Sequence, residues 1–435
     1  MPLVRGLAIA LLLSFGPVVS NSFARFAYAL ILPAMRSDLQ WNYAQAGSIN
    51  TVNAFGYLLG ALLTRVLVAR IGNRQLFVAG MVITSLSLLA TGLVRDLAPL
   101  SALRIVTGIG GAMVFVCGGA LSGNILPARP QLATTTIAVY FAGAGLGLMI
   151  CGVALPLLLE ATGDGGWPLA WQGMGVVSLL MTAASLWAVR AVGEPGRAAA
   201  AGPMSGVSGV VPGAGVAARR VAGAASTAAG TAPSAAEQAR WPWRDYRFEF
   251  ASYAMFSIGY IGYMTFVIAW IRDHGGDTGT VMTVWFVLGL STLLAPLVWR
   301  KPAEHWPGGL PLAAVMLMLS AGSAIPLVAT GTGAMVLSAV LFGGAMFSAP
   351  SSISSLIKRT LPMPAWGPAM ATFTVVFAAG QIVGPLGTGW LADRFGSLAP
   401  GLAASSAGLL VGGGAARPQG DPPPGPTEGG KAHGA

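Results

Sequence analysis

Twelve long apolar runs follow one another along the chain, and they limit its fold more strictly than any other feature. A helix needs about 20 mainly apolar residues to cross the hydrocarbon core of a bilayer. Backbone polar groups within the bilayer must be paired inside the segment, and an α-helix does this. The sequence therefore predicts an all-α polytopic membrane protein with spans at 7–34, 44–66, 75–94, 99–126, 133–159, 169–190, 248–271, 280–299, 310–330, 333–356, 367–391 and 398–414.

The composition supports a membrane protein and argues against a nucleic-acid-binding one. Charged residues make up 9% of the chain, against about 25% in soluble domains. The formal net charge is +10, but the basic residues gather in short loops between the apolar runs. We therefore expect the lipid bilayer, and no nucleic acid, as a partner.

The distribution of basic residues over the loops predicts the orientation of the chain. One side has only Arg36, Arg95, Arg272 and Arg394, each near an aspartate. The other side has Arg5, Arg70, Arg74, Arg129, the arginines of 192–246, Arg300, Lys301, Lys358 and Arg359. Since cytoplasmic loops are enriched in Lys and Arg, both termini are predicted to lie in the cytoplasm, with the protein in the inner membrane.

A long interruption divides the twelve spans into two groups of six. Residues 192–246 are rich in Ala, Gly, Pro and Ser, which is typical of a flexible linker. The predicted domains are an N-terminal bundle (1–191), this cytoplasmic linker and a C-terminal bundle (247–414). The short last span is followed by a Pro/Gly-rich tail (415–435), predicted to be disordered.

Two short matches indicate that the halves are pseudo-repeats of each other. The tetrapeptide GGAM occurs at 110–113 in the fourth span and at 343–346 in the tenth. FAGAGLG at 141–147 in the fifth span loosely matches FAAGQIVG at 377–384 in the eleventh. Transporters are often built from related halves, with the substrate site between them.

Arg25 is the most unexpected residue of the first span. A cation at the centre of a lipid-facing helix costs roughly 2.5–3.5 kcal/mol on insertion scales, and no acidic residue accompanies it in that span. Arg25 must therefore face water or an anionic ligand. Asn21 and Tyr28 lie at i−4 and i+3 from it, on the same helical face.

The second span has a polar stripe at helical spacing: Asn50, Asn53, Tyr57, Gly60 and Thr64. One interpretation is that this stripe and the Arg25 face line a shared aqueous cavity that binds the substrate. The other is that the stripe forms hydrogen bonds between helices. Both remain open for the stripe, although the second does not explain Arg25.

Two residues in the second half are weaker candidates for the same cavity. Tyr260 belongs to an aromatic stripe in the seventh span, and a buried tyrosine hydroxyl needs a partner. Gln381 is the only residue of the eleventh span with an amide side chain. Stripes of this kind are more often packing surfaces than binding surfaces.

Arg104 is the second cation within a span. It lies about one turn from the outer end of the fourth span, so its side chain is expected to reach partly towards the interface. Gly108, Gly110 and Gly111 follow it and permit close approach of a neighbouring helix.

No pattern of catalytic or metal-binding residues is present. The histidines are His274, His305 and His433, all outside the spans. No Ser-His-Asp, paired-carboxylate or metal-ligand spacing accompanies them. We expect neither an enzyme nor a cofactor.

Together, twelve spans, related halves and a long central linker resemble the major facilitator superfamily, and three motifs agree with it. Arg104, Gly108 and Gly110 resemble the fourth-helix signature, whose arginine is associated with proton coupling. The segment 69–74 (ARIGNR) resembles the cytoplasmic gating loop through Arg70, Gly72 and Arg74, although Ala69 replaces its usual acid. The segment 384–397, with Asp393 and Arg394, resembles a common family ending.

A narrower resemblance rests on 23–35 (FARFAYALILPAM) and 53–63 (NAFGYLLGALL), which are similar to the YbfB/YjiJ-type branch of bacterial facilitators. The superfamily resemblance implies a secondary transporter with alternating access around a site near the bilayer midplane. Arg104, Gly108, Arg70, Gly72, Arg74, Asp393 and Arg394 are its implied coupling or gating residues.

Combining both lines, we expect a small anionic or carboxylate-bearing solute as substrate. It would bind Arg25, Asn21, Tyr28, Asn50, Asn53, Tyr57, Tyr260 and Gln381. Coupling to protons is left open, since no carboxylate lies midway through a span. We expect a monomer. The alternative is a non-transporting sensor on the same fold.

Overall fold

A computed structural model describes residues 2–194 and 243–416. Within these residues the twelve long helices are α1 (Leu3–Asp38), α2 (Tyr43–Ile71), α3 (Asn73–Thr91), α4 (Leu97–Gly123), α5 (Ala133–Thr162), α6 (Trp167–Ala191), α7 (Arg247–Asp273), α8 (Thr278–His305), α9 (Leu310–Val328), α10 (Thr332–Thr360), α11 (Met363–Phe395) and α12 (Ala399–Ala416). Short 3₁₀ helices lie at Pro130–Leu132, Asp164–Gly166 and Trp243–Tyr246.

Eleven of these helices are long and apolar enough to cross a membrane. The twelfth, α12, has 18 residues and packs against α7, α9 and α11. It ends at Ala416, beyond the predicted limit of 414. Two helices are not continuous: α1 contains a π-helical segment, and α10 is broken between Gly343 and Ser348.

Local sequence signals explain several helix ends. The Asn42 side chain accepts a hydrogen bond from the Gln45 backbone N–H (2.8 Å), and the Gln45 side chain accepts one from the Asn42 N–H (3.0 Å). This capping box starts α2. Asp277 starts α8 by accepting a hydrogen bond from the Thr280 N–H (2.7 Å).

The two halves repeat the same helix pairings. Within the first half α2 packs on α4, α3 on α4 and α3 on α6, and within the second α8 packs on α10, α9 on α10 and α9 on α12. Between the halves, α2 packs on α11 and α5 on α8, which are equivalent pairs. The fold is therefore the predicted all-α arrangement of two related six-helix bundles.

The predicted linker, 192–246, lies mainly outside the described residues. Its described ends are ordered: Glu194 contacts the start of α3, and Trp243–Tyr246 form a 3₁₀ helix before α7. Residues 415 and 416 belong to α12, and the rest of the predicted tail lies outside the described residues.

The halves are joined at the end where α1 finishes and α2 begins, which the charge pattern predicts to be the outer end. Towards the middle of the bundle, the Asn50 amide donates to the Thr265 hydroxyl (2.7 Å). Nearby, the Thr51 hydroxyl donates to the Ile382 carbonyl oxygen (2.9 Å). These contacts place α2 of one half directly against α7 and α11 of the other.

Candidate functional site

Arg25 lies in a nine-residue π-helix, Val18–Phe26, inside α1. The segment begins directly after Pro17, which has no N–H to continue an α-helical ladder. It ends where the Ala27 N–H donates to the Ser22 carbonyl oxygen (2.7 Å). All nine residues are buried. π-Helical segments occur frequently at functional sites.

The Arg25 guanidinium has no acidic partner among the described residues. The side chain is 5% exposed, and its Nε and Nη2 atoms are buried without a hydrogen bond. Its nearest described aromatic neighbours are the rings of Tyr57 (5.7 Å from Cζ) and Phe26 (5.9 Å). Asn21, one turn earlier, is also buried. The folded chain therefore buries the charge of Arg25 without providing a counter-charge among the described residues, as the sequence predicts.

The polar stripe of α2 is largely engaged in helix packing. The Asn53 amide donates to the Arg104 carbonyl oxygen (3.0 Å), and the Thr64 hydroxyl donates to the Gly60 carbonyl oxygen within α2. A Cβ atom at Gly60 would overlap the Ile109 backbone, and one at Gly108 would overlap the backbone of α2. Gly108 thus permits backbone contact between α2 and α4.

Within this stripe Tyr57 differs, because it is partly exposed and its ring lies beside Arg25. Asn50 is intermediate: its amide nitrogen bonds Thr265 across the halves, while its Oδ1 is buried without a partner. Substrate binding by Asn50 and Asn53 stays a prediction.

Tyr28 lies beside Arg104, and its hydroxyl is used elsewhere. The hydroxyl donates to the Ala46 carbonyl oxygen (2.6 Å), and the ring stacks on Trp171 at 6.5 Å. The Arg104 Cζ lies 5.9 Å from the Tyr28 ring and 4.8 Å from the Trp171 ring. The expectation that Arg104 reaches towards the interface is wrong, because its side chain is 0% exposed. The bulky neighbours Tyr28 and Trp171 enclose it.

The second half contributes an aromatic wall, made of Phe256, Tyr260 and Phe377. Its rings are nearly parallel, at 12° between Phe256 and Tyr260 and 10° between Tyr260 and Phe377. The Gln381 amide donates to the Tyr260 hydroxyl (2.8 Å), which fixes the position of that ring. The structure thus places Tyr57 beside Arg25 and Gln381 beside Tyr260.

The predicted gating loop between α2 and α3 obtains its acid from another helix end. The Glu194 carboxylate accepts hydrogen bonds from the backbone N–H groups of Asn73 (3.1 Å) and Arg74 (2.9 Å). Gly72 adopts φ +93°, and a Cβ there would contact this carboxylate. Arg70 is exposed. Glu194 therefore caps the start of α3. It supplies an acid to a loop whose usual acid is replaced by Ala69.

At the opposite end, Asp393 joins the two halves. Its carboxylate accepts hydrogen bonds from the backbone N–H groups of Tyr43 and Ala44, both at 2.8 Å. The Tyr43 hydroxyl donates to the Asp273 carboxylate (2.7 Å), and the Arg36 guanidinium lies 3.7 Å from the Tyr43 ring centre. We call this group, Arg36, Tyr43, Ala44, Asp273 and Asp393, the outer latch. Arg394 is exposed beside it.

Several of these residues were not singled out from the sequence. Tyr43 and Asp273 lie at helix ends far from Asp393 along the chain, so no local pattern connects them. Glu194 follows a span end, and Trp171 and Phe377 read as ordinary apolar residues. A search for acids at span ends would have found Glu194 and Asp273, but not their partners.

The architecture, two related six-helix bundles of long apolar helices, defines the class of fold: it is the major facilitator fold. A bacterial homologue of the human lysosomal transporter Spinster has a similar structure, with a TM-score of 0.63 and 15% identity over 94% of this chain and 95% of that one. The nucleoside transporter NupG is similar with a TM-score of 0.66 and 11% identity, over 94% and 97%.

A family model described as "Uncharacterised MFS-type transporter YbfB" matches residues 18–209 and 206–417. The chain therefore belongs to the YbfB-type family of major facilitator transporters, and the predicted branch is confirmed. Since this family and the structural relatives are transporters, the prediction that the chain is not an enzyme is confirmed as well.

Two curated relatives are similar over part of the chain. The 3-(3-hydroxy-phenyl)propionate transporter of Escherichia coli (strain K12) is 32% identical over 142 residues, which is 32% of either protein. Nitrate transporter 2.2 of Chlamydomonas reinhardtii is 26% identical over 151 residues, 34% of this chain and 29% of that protein. The matched region thus spans about a third of either relative.

Proposed function

We propose that this protein is a secondary transporter that moves a small organic anion across the cytoplasmic membrane by alternating access, with Arg25 as the anion-binding group. The observation that carries this proposal is the Arg25 guanidinium, which is buried and has no acidic partner within the described residues. A desolvated guanidinium without a counter-charge is unfavourable, so an arriving anion would supply what the fold omits. Both termini are assigned to the cytoplasm, and the working unit is a monomer.

Two further observations support an anionic substrate, and specifically a carboxylate on a ring. The names of both curated relatives specify anions, an aryl propionate and nitrate. The aromatic wall belongs to the second half, and its nearly parallel rings are of the kind on which a substrate ring could stack. A cation on one half and an aromatic wall on the other would bind the two ends of an aromatic carboxylate.

The test is saturable uptake into vesicles containing the purified protein, with labelled benzoate and 3-(3-hydroxyphenyl)propionate as first probes. Arg25→Gln should lower uptake at low substrate concentration by roughly tenfold to a hundredfold, as expected for the loss of a charge-assisted hydrogen bond. Arg25→Lys should retain part of the uptake, because it keeps the charge but loses bidentate geometry.

Arg95→Gln is the matched control, because it removes an exposed cation that is already paired with Asp38 at the outer end. Arg25→Gln should also melt at the same or a higher temperature than the unaltered protein, since it removes a buried unpaired charge. Normal uptake by a correctly inserted Arg25→Gln variant would disprove the site.

Coupling to protons is proposed as the driving force and has its own test. Glu160, near the end of α5, is exposed and available to carry a proton, whereas Asp38 is held by hydrogen bonds from Arg95 and Trp167. Uptake should therefore respond to an imposed pH gradient. A rate that ignores both pH and voltage gradients would exclude proton coupling, and ligand binding without any flux would favour a sensor.

A further inference from the structure

Arg104 is a second buried cation whose hydrogen-bonding capacity is entirely unused. Its side chain is 0% exposed, and in the part of the chain that the structure describes Nε, Nη1 and Nη2 are all buried without a hydrogen-bond partner. Arginine carries its charge under all ordinary conditions and offers five N–H donors. A guanidinium in this state is strongly unfavourable unless some other state of the protein supplies an acceptor.

The surroundings of Arg104 reduce this cost only in part. The guanidinium lies over the Trp171 ring at 4.8 Å and near the Tyr28 ring at 5.9 Å. Aromatic faces attract cations but accept no strong hydrogen bonds. The Trp171 indole N–H donates to the sulfur of Met35 (3.4 Å), which is a weak acceptor. The Tyr28 hydroxyl donates to a backbone carbonyl oxygen, so of the two rings Trp171 is held less firmly over Arg104.

Arg104 and Arg25 belong to one cationic region. Tyr28, which contacts Arg104, lies one helical turn after Arg25. On α2, Asn53 bonds the Arg104 backbone and Tyr57, one turn later, lies beside Arg25. Within the described residues, neither guanidinium is hydrogen-bonded to a carboxylate.

We propose that Arg104 is a second anchor for the transported anion, and that the site is built for a solute carrying two negative charges, such as a small dicarboxylate. This inference rests on the proposed role of Arg25. A monoanion bound at Arg25 would leave one uncompensated charge in a poorly solvated region, whereas a dianion compensates both. Its second carboxylate would reach Arg104 by displacing the Trp171 ring.

The experiment measures binding by calorimetry to the purified full-length chain, using two matched pairs of probes at pH 7.5. Benzoate and phthalate share a ring, and butyrate and succinate share a four-carbon chain. In each pair the first probe carries one negative charge and the second carries two. In each pair we expect the dianion to bind at least about tenfold more tightly, the gain from one further charge-assisted interaction. Arg104→Gln should remove that preference, because it should weaken binding of the dianion much more than binding of the monoanion. Arg25→Gln should weaken both.

Arg104→Lys and Arg95→Gln are the controls. The lysine variant keeps the charge and should retain part of the dianion preference, while Arg95→Gln, which removes an exposed cation, should change nothing. The preference of the unaltered protein is informative even if Arg104→Gln fails to fold. Equal binding of the two members of each pair, or an equal loss for both in Arg104→Gln, would overturn the second anchor while the Arg25 site stands. Binding that Arg25→Gln leaves unchanged would overturn both proposals.

Discussion

The outer latch provides the sharpest test of how the two halves are held together. Asp393 is exposed, yet its carboxylate accepts two backbone hydrogen bonds at 2.8 Å from the first turn of α2, where the helix dipole favours a negative charge. Losing a carboxylate in such a capping position costs about 0.5–2 kcal/mol. Solvent weakens these bonds, so we expect Asp393→Ala to destabilise the outer-closed arrangement by about 1 kcal/mol.

A change of about 1 kcal/mol alters the ratio of closed to open molecules roughly fivefold. Pulsed electron resonance can measure this with spin labels on Ser37→Cys and Ser397→Cys, two exposed positions on opposite halves at the end of the bundle that contains the outer latch. The buried native Cys117 and Cys151 are first replaced by alanine. Asp393→Ala should increase the population with a long distance between the labels. Asp393→Asn should do so less, because one acceptor oxygen remains.

Asp96→Ala is the matched control for this experiment. Asp96 is likewise an exposed acid before the first turn of a helix, but its side chain makes no capping hydrogen bond. The control should leave the distance distribution unchanged. An unchanged distribution in Asp393→Ala, or the same shift in Asp96→Ala, would refute the role assigned to the latch.

Two further predictions concern packing and capping. Gly108→Ala should lower the melting temperature, at a cost of about 1–3 kcal/mol typical of overpacking, because the added Cβ would overlap the backbone of α2; Gly173→Ala, where nothing lies within 4 Å, should not. An equal effect of the two alanines would contradict this close approach. Glu194→Ala should increase hydrogen exchange at the start of α3 by roughly five- to thirtyfold, for a lost cap of about 1–2 kcal/mol. Unchanged exchange there would show that water replaces the carboxylate.

The sequence was sufficient for the helices and their repeated order, because hydrophobic length is a local property. Runs of apolar residues fix where each span lies, and the boundaries differ mainly at the ends, as in α1, which extends from the predicted 7–34 to Leu3–Asp38. The capping box at Asn42 and Gln45 is equally local. The unusual position of Arg25 was visible for the same reason, since a cation within an apolar run is conspicuous.

The candidate site was predicted only in part, because its hydrogen bonds depend on distant partners. Asn53 and Tyr57 occupy the same stripe of α2, yet one bonds the backbone of α4 and the other lies beside Arg25. Spacing along α2 cannot distinguish these roles. The two roles depend on which helix packs against each turn of α2. Gly108 permits the backbone of α4 to approach α2 at Asn53 and Tyr57.

By itself, then, the sequence determined the membrane class, the spans and the absence of an acid from the span that contains Arg25, all of which follow from composition and spacing. Only the tertiary structure decided what Arg104 faces, which acid caps α3 and which residues close the outer end. The Asp393 and Tyr43 partners are 350 positions apart, and no local pattern connects them. Their contact exists because packing of α11 on α2 aligns a carboxylate with a helix start, and such alignment is a property of the folded chain.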